Sequence, residues 1–551
     1  MKSIKRIGLI LLIAGISIFT LSLVFPSYEI TDYTVNQHFD PIIHGYQVDL
    51  KKAAAEGDTS AVTQAKIKVD SYSALRDRLL TTKGDYGVNF VAVSSAIRTQ
   101  LNEHNEALKA DRKGDAVIWD APRDFAASIM RPAAAGISVG MKGLLLFLTF
   151  GLAMIGGVMY ILPNVVLMGP PGIKNHHVFH EKPTNRGWIG WLVFVWLVSF
   201  YILLYFFPDY TLGWVFPTDP ASQFLKNQDA SRWFLYGLMY CSVMTVMAIR
   251  MYVKYRNNRY QIVRTSSVLF FQVAFAFLIP ELLTRFNRPS MDFKNIWPLD
   301  YDFFFNWNLD QLIAEGTLGV FMLVWGIALI VVAVPVFVYF FGKRWYCSWV
   351  CGCGGLAETL GDPYRQLSDK SVKAWKIERF LIHGVLVFSI FMTGLTLYTY
   401  FSGVSQVAGV DTYDVQKTYG FLIGSVFSGV IGTGFYPVMG SRVWCRFGCP
   451  LAAYLGLVQR FKSRFRITTN GGQCISCGNC STYCEMGIDV RWYAQRGQNI
   501  VRSSCVGCGI CSAVCPRGVL KLENGPEEGR INDNPIIIGK EGIQLSTDVT
   551  M

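Results

Sequence analysis

The sequence predicts a mainly α, polytopic α-helical membrane protein of about eight spans. A helical extracytoplasmic insertion and a small, cysteine-rich C-terminal α+β domain complete it. Three observations carry this reading. The 551 residues are 51% hydrophobic and 14% aromatic but only 16% charged, too apolar for a soluble protein of this size. Eight apolar runs are long enough to cross a bilayer. All 14 cysteines except Cys241 lie after residue 346, a clustering that indicates cofactor ligation rather than scattered core thiols.

Residues 1–25 form the first span. Lys2, Lys5 and Arg6 precede the apolar run Ile7 to Phe25. No small-x-small cleavage site precedes Pro26, so the run reads as an uncleaved span rather than a signal peptide, with its N-terminus inside. Residues 26–138 form the extracytoplasmic segment. Amphipathic helices are expected over 59–81 and 88–112, with Asp58 and Thr59 as cap candidates. His38, His44 and His104 are scattered and read as surface residues. No cysteine or metal-ligand cluster occurs there, and a docking or packing role is expected.

Residues 139–470 hold seven further runs, at 141–162, 188–207, 233–253, 265–283, 317–341, 377–401 and 419–439. Lys174, Lys182 and Arg186, then Arg250 to Arg264, then Lys343 to Lys376 mark alternate loops as cytoplasmic. The net charge of +12 thus reflects positive-inside bias and does not call for nucleic acid. Eight spans that begin inside also end inside, which places both termini in the cytoplasm.

Residues 471–524 contain Cys474-x2-Cys477-x2-Cys480-x3-Cys484 and Cys505-x2-Cys508-x2-Cys511-x3-Cys515-Pro516. Two such runs are the signature of a two-cluster ferredoxin, in which the fourth cysteine of each run ligates the other cluster. Cys474, Cys477, Cys480 and Cys515 are expected to hold one [4Fe–4S] cluster. Cys505, Cys508, Cys511 and Cys484 are expected to hold the second. Structural zinc uses four ligands in separated C-x2-C pairs, and disulfides need an oxidising compartment. Glu485 stands where a proline usually follows the fourth cysteine. The tail, 525–551, is polar with little pattern.

The sixth run ends Gly342-Lys-Arg344-Trp-Tyr-Cys347-x3-Cys351, and the eighth ends Gly440-Ser-Arg442-Val-Trp-Cys445-x3-Cys449-Pro450. Each continues into Leu-Ala-x-x-Leu-Gly, and the first copy carries Gly352, Cys353 and Gly354 as extra residues. This is an internal repeat. Cysteines four apart on one helix share a face. If the copies pack together, Cys347, Cys351, Cys445 and Cys449 converge at the cytoplasmic membrane edge, with Cys353 as a substitute ligand. A metal, a further iron–sulfur centre or a dithiol pair would suit them.

Two ionisable groups within spans are weak catalytic candidates: His383, as a quinol-proton acceptor, and Glu281 near the outer end of the fifth span. A single histidine within the spans argues against a bis-histidine haem. His176-His177-x2-His180 follows Gly169-Pro-Pro-Gly172 and reads as a loop, with metal binding as the alternative. Between Arg442 and Asn524 there are 11 basic and 3 acidic residues. That excess offsets the negative charge of thiolate-ligated clusters and suits an acidic redox partner.

At Cys347-x3-Cys351, Cys445-x3-Cys449-Pro450 and the two ferredoxin runs, the chain resembles the membrane polyferredoxins of the NapH/NosR/CcoG type. The resemblance spans residues 188–524, with Gly352 where the first C-x3-C-P motif carries its proline. It implies a bacterial inner-membrane protein that passes electrons between the quinone pool and other redox centres, or serves metallo-enzyme maturation. Some members carry a periplasmic flavin domain with an S-G-A-T-like motif. Residues 26–138 lack that motif, so no flavin is expected. The leading expectation is an oxidoreductase or electron-transfer subunit that contacts lipid, quinone and another redox protein. The alternatives are a copper reductase or assembly factor using the edge cysteines, and a membrane redox sensor.

Overall fold

The computed structural model describes residues 1–83, 88–111, 113–168, 184–288, 290–404 and 406–524. It also describes the backbone of a hairpin, Ile536–Gly539 with Gly542–Leu545. The hairpin breaks the expectation of a patternless tail. His176, His177 and His180 lie outside the described residues. The chain is predominantly helical and divides into two units.

One unit comprises Arg6–Met159 and Ile202–Met239. The two expected helices of the insertion stand as Thr59–Thr82 and Phe90–Ala110. The Asp58 carboxylate caps the first, accepting from the Ser60 and Ala61 N–H groups at 3.0 Å each, as its residue type predicts. A further helix, Asp32–Glu56, contains Pro41 and few apolar residues, which hid it from a periodicity search. Gly57 joins it to Thr59–Thr82 at φ +74°, a left-handed C-terminal position that glycine adopts without penalty. Val35, Phe39, Leu75, Leu79, Val93, Ile97 and Leu101 make the core. Ser27–Tyr28 pairs antiparallel with Ala134–Ala135, so the insertion leaves and returns side by side.

His104 is buried, not on the surface. Its Nε2 lies 3.2 Å from the Ser71 hydroxyl. His38 is half-buried, edge-on to Phe39 and Phe125. Desolvation lowers the pKa of both, because burial disfavours the charged imidazolium. His44 is exposed, as expected.

Among the described residues, seven helices are long and apolar enough to span a membrane. They are Lys2–Val24, Lys142–Leu167, Trp188–Phe206, Arg232–Lys254, Arg259–Arg285, Thr317–Phe341 and Val372–Ser402. The chain is thus polytopic. The eighth expected run, 419–439, is built in pieces: Thr412–Tyr419, a π-helical Gly420–Ile431, Gly432–Gly434 and Tyr436–Met439. Five glycines, at 420, 424, 429, 432 and 434, lower its helix propensity.

Glycine also sets how the first two spans meet. A Cβ on Gly156 would lie 2.4 Å from the Leu12 nitrogen and 2.7 Å from the Gly8 carbonyl oxygen. Small residues let helix backbones approach this closely in lipid. Gly156→Leu is expected to cost about 1–3 kcal/mol through overpacking. Thermal unfolding in detergent measures it; an unchanged melting temperature contradicts the contact.

The other unit comprises Met1–Lys5, Tyr160–Tyr201 and Tyr240–Met551. In it, the segment between Arg285 and Asn306 folds back along the Thr317–Phe341 helix. That helix has 25 residues, about 37 Å at 1.5 Å per residue. Near its middle, the Trp325 indole N–H donates to the Phe293 carbonyl at 2.9 Å. Beyond its far end, the Tyr346 hydroxyl donates to the Lys294 carbonyl at 3.0 Å. The segment is re-entrant, and it brings Asp292, Lys294, Asp300 and Asp302 toward the edge cysteines. Its spacing has no helical or strand period, so no pattern announces it.

Candidate metal centres

The two edge motifs fold alike. Gly342 and Gly440 end their helices at φ +64° and +91°, conformations open chiefly to glycine. Short helices follow, Arg344–Cys347 and Val443–Phe447. Cys351 and Cys449 then sit at the N-caps of Gly352–Glu358 and Pro450–Lys462. The C-x3-C pairs therefore do not share a face of one helix, as expected from spacing. Each pair straddles a helix break. The convergence nevertheless occurs: Cys347, Cys351, Cys353, Cys445 and Cys449 line one small cavity, with Leu299, Tyr346 and Trp444 among its walls. Reciprocal bonds lock the copies together. Arg442 of the second donates to the Cys347 carbonyl at 3.1 Å, and Lys343 of the first donates to the Ala452 carbonyl at 3.2 Å.

The C-terminal domain repeats a second device. The residue before the second cysteine of each run has positive φ, +58° at Ser476 and +61° at Gly507, and the glycine after it lies at +79° (Gly478) and +75° (Gly509). Each glycine opens a four-residue helical turn, Asn479–Thr482 or Ile510–Ala513, that carries the third cysteine. Cys474, Cys477, Cys480 and Cys515 line one small cavity. In the other set, Cys484 lies close enough to Cys505 and Cys511 for their charges to interact. Phe465–Thr469 pairs antiparallel with Leu520–Asn524 and closes the domain. Burial pushes the Cys480 thiol up to about 12 and the Cys505 thiol up to about 11. Iron binding must displace these protons, as thiolate ligation requires.

Four successive carbonyls of the second run are held by neighbouring side chains. Gln459 donates to Cys505 O at 2.9 Å and Ser348 to Val506 O at 2.8 Å. Tyr260 donates to Gly507 O at 3.0 Å and Arg264 to Cys508 O at 2.7 Å. In the same loop the Gly507 N–H is directed at the Cys505 sulfur, the kind of hydrogen bond that tunes a cluster.

Between the edge cavity and Cys484 lies a buried ionic lattice. Arg264, Arg365 and Arg442 are at most 1% exposed, and Glu358, Asp362 and Glu485 at most 2%. Arg365 binds Asp362 at 2.9 Å, Glu485 at 2.7 Å, and Glu358. Arg442 binds Glu358 at 2.8 Å and Glu485 at 3.0 Å, while its NH1 lies 3.6 Å from Cys445 Sγ. Arg264 binds Glu358 at 2.8 Å, and Lys254 and Arg250 bind Asp362. Burial opposes ionisation of Glu358, but three guanidiniums hold its carboxyl well below the usual range. Glu485 goes the other way, because desolvation outweighs Arg365 and Arg442.

Glu358, Glu485 and Cys508 bring ligand atoms within 4.8 Å of one another. Guanidiniums already occupy both carboxylates, so the trio is an ion-pair centre and not a cation site. Five cations face three carboxylates here, and buried charge needs compensation. Thiolate-ligated cubanes, each of about −2 charge, would supply it. The residues present therefore fit iron–sulfur clusters.

All eight cysteines of the two runs, and all five edge cysteines, are gathered into these sites. His383 and Glu281 line neither cysteine cavity. Sequence reasoning missed the carboxylates Asp300 and Asp302, which hydrogen-bond to each other beside Leu299 of the edge cavity. The ionic lattice was also missed; its one legible sign was Glu485 in the proline position.

Residues 323–376 and 420–468 match the family described as a 4Fe-4S binding domain, and residues 473–520 match the 4Fe-4S dicluster domain. The first match contains both edge motifs and the second both ferredoxin runs. Both matched stretches are therefore of the 4Fe–4S ferredoxin type. Among curated proteins it is 28% identical over 158 residues to "Putative electron transport protein YccM" of Escherichia coli (strain K12). The match spans 27% of this chain and 43% of the relative, less than half its length. No solved structure matches.

Proposed function

We propose that the protein carries electrons between a membrane quinone pool and a redox partner on the cytoplasmic side. Cys474, Cys477, Cys480 and Cys515 hold one [4Fe–4S] cluster, and Cys505, Cys508, Cys511 and Cys484 the second. Cys347, Cys351, Cys445 and Cys449 hold a third centre, with Cys353 as a spare thiol. When bound, these clusters supply one-electron storage.

The observation that carries the reading is Arg442. One buried side chain touches Cys445 of the edge site and Glu485 beside Cys484, so the membrane edge and the ferredoxin domain form one packed path. Asp300 and Asp302, on the re-entrant segment, accept the quinol protons in place of His383 or Glu281. Two carboxyls sharing a hydrogen bond hold one proton readily and admit the second charge reluctantly.

The basic loops support an orientation with both termini in the cytoplasm of a bacterial inner membrane and residues 26–138 outside. That orientation requires the run Thr412 to Gly434 to cross as the eighth span. Stopped-flow mixing of the purified protein with a quinol analogue tests the function. Cluster bleaching with quinol, or reoxidation with quinone, is expected, and Asp300→Asn is expected to slow it about a hundredfold. No response to either sinks the proposal.

A further inference from the structure

We infer that the solvent face over Cys474, Cys477 and Cys515 docks an acidic, soluble, one-electron carrier protein. The inference rests on the iron–sulfur reading above. Those three thiols are partly exposed, and only Cys480 of their set is buried, whereas in the other set Cys505 and Cys511 are buried, Cys484 and Cys508 are partly exposed, and neighbouring side chains cover the carbonyls of the loop. Of the two cysteine sets in the domain, the first therefore faces out.

Its rim is basic around an apolar centre. Arg491 and Arg517 line the cavity and are exposed. Arg496 is exposed and stacks 4.1 Å from the Trp492 ring, and exposed Lys521 follows the cavity-lining Leu520. Ile475 and Trp492 are 54% and 40% exposed. The acids nearby are engaged: Asp489 accepts from Ser481 at 2.6 Å, and Glu523 accepts from Thr468. Four exposed cations against these two hydroxyl-bonded carboxylates leave a net positive face, which selects a partner with a negative one. They also steer its encounter, an effect that salt screens. One electron crosses between the carrier and the centre held by Cys474, Cys477, Cys480 and Cys515. No bond is made or broken, and no proton moves.

The test uses the full-length protein and a fluorescently labelled acidic plant-type [2Fe–2S] ferredoxin as probe. Fluorescence anisotropy is expected to show binding at low ionic strength that falls steeply between about 0.05 and 0.5 M salt. R496E/K521E is expected to weaken it about tenfold or more, and a basic c-type cytochrome is expected not to bind. Equal affinity for wild type and variant, or salt-independent binding, overturns the inference. So does absence of binding at low salt, whether the face is covered by the chain's own tail, a second copy or anionic lipid. If R496E/K521E fails to fold, the salt dependence and K521Q alone decide. Iron content and bleaching by dithionite are measured in parallel. Their absence in the wild type strikes the iron–sulfur reading, whereas their presence with no salt-dependent binding strikes the docking face alone.

Discussion

Arg365→Met is expected to destabilise the protein by about 3–5 kcal/mol, the usual cost of removing one partner from a buried ionic network. Arg365 is fully buried and, among the described residues, is the one that binds Glu358, Asp362 and Glu485 together. Its loss leaves Glu485 with Arg442 and Asp362 with Arg250 and Lys254, but removes the fork that joins them. Methionine fills the volume without the charge, so the loss reads electrostatics rather than a cavity. Adding Glu485→Gln is expected to recover part of the stability, because one uncompensated carboxylate then disappears. Thermal unfolding in detergent, with iron retention as a second readout, measures both. Unchanged stability in Arg365→Met contradicts the role given to the lattice.

Cys515→Ser is expected to remove the cluster held by Cys474, Cys477 and Cys480, and to leave the one held by Cys505, Cys508 and Cys511. Cys484→Ser is expected to do the reverse. Each variant loses about four irons and one of two reduced-state paramagnetic resonance signals. The basis is the cavity that Cys515 shares with the first three cysteines of the other run. Loss of the signal tied to Cys505, Cys508 and Cys511 in Cys515→Ser contradicts the crossed ligation.

The parts of this chain that sequence made legible are those whose chemistry is local. Ligand spacing around a cubane is a short-range constraint, so Cys474 to Cys515 announced themselves, and the glycine–arginine–aromatic–cysteine repeat did the same at the edge. Spans were readable because bilayer thickness sets a length. The exception, 419–439, is as apolar as a span but glycine-rich, and its helix is broken into short pieces. The C-x3-C pairs were placed on continuous helices because spacing alone does not reveal a break. Gly342 and Gly440 mark that break, and their matched positions were a usable signal. His104 could not be told from a surface residue, because its burial depends on Ser71, 33 positions away. The ionic lattice is further out of reach. Arg365 and Glu485 are 120 positions apart, and nothing periodic links them. The re-entrant segment 286–305 lacks any repeat, so Asp300 and Asp302 acquire meaning only beside Tyr346 and the edge cysteines.

The claim on which the electron path depends is that the edge cysteines hold a third cluster. Anaerobic iron and acid-labile sulfide determination on the purified protein tests it most directly, beside C347S/C351S/C445S/C449S. About twelve irons and twelve sulfides per chain in the wild type, falling to about eight in the variant, are expected for three cubanes. About eight irons in both, above all with copper bound to the wild type alone, contradicts a third iron–sulfur centre and leaves the edge cysteines as a separate metal site.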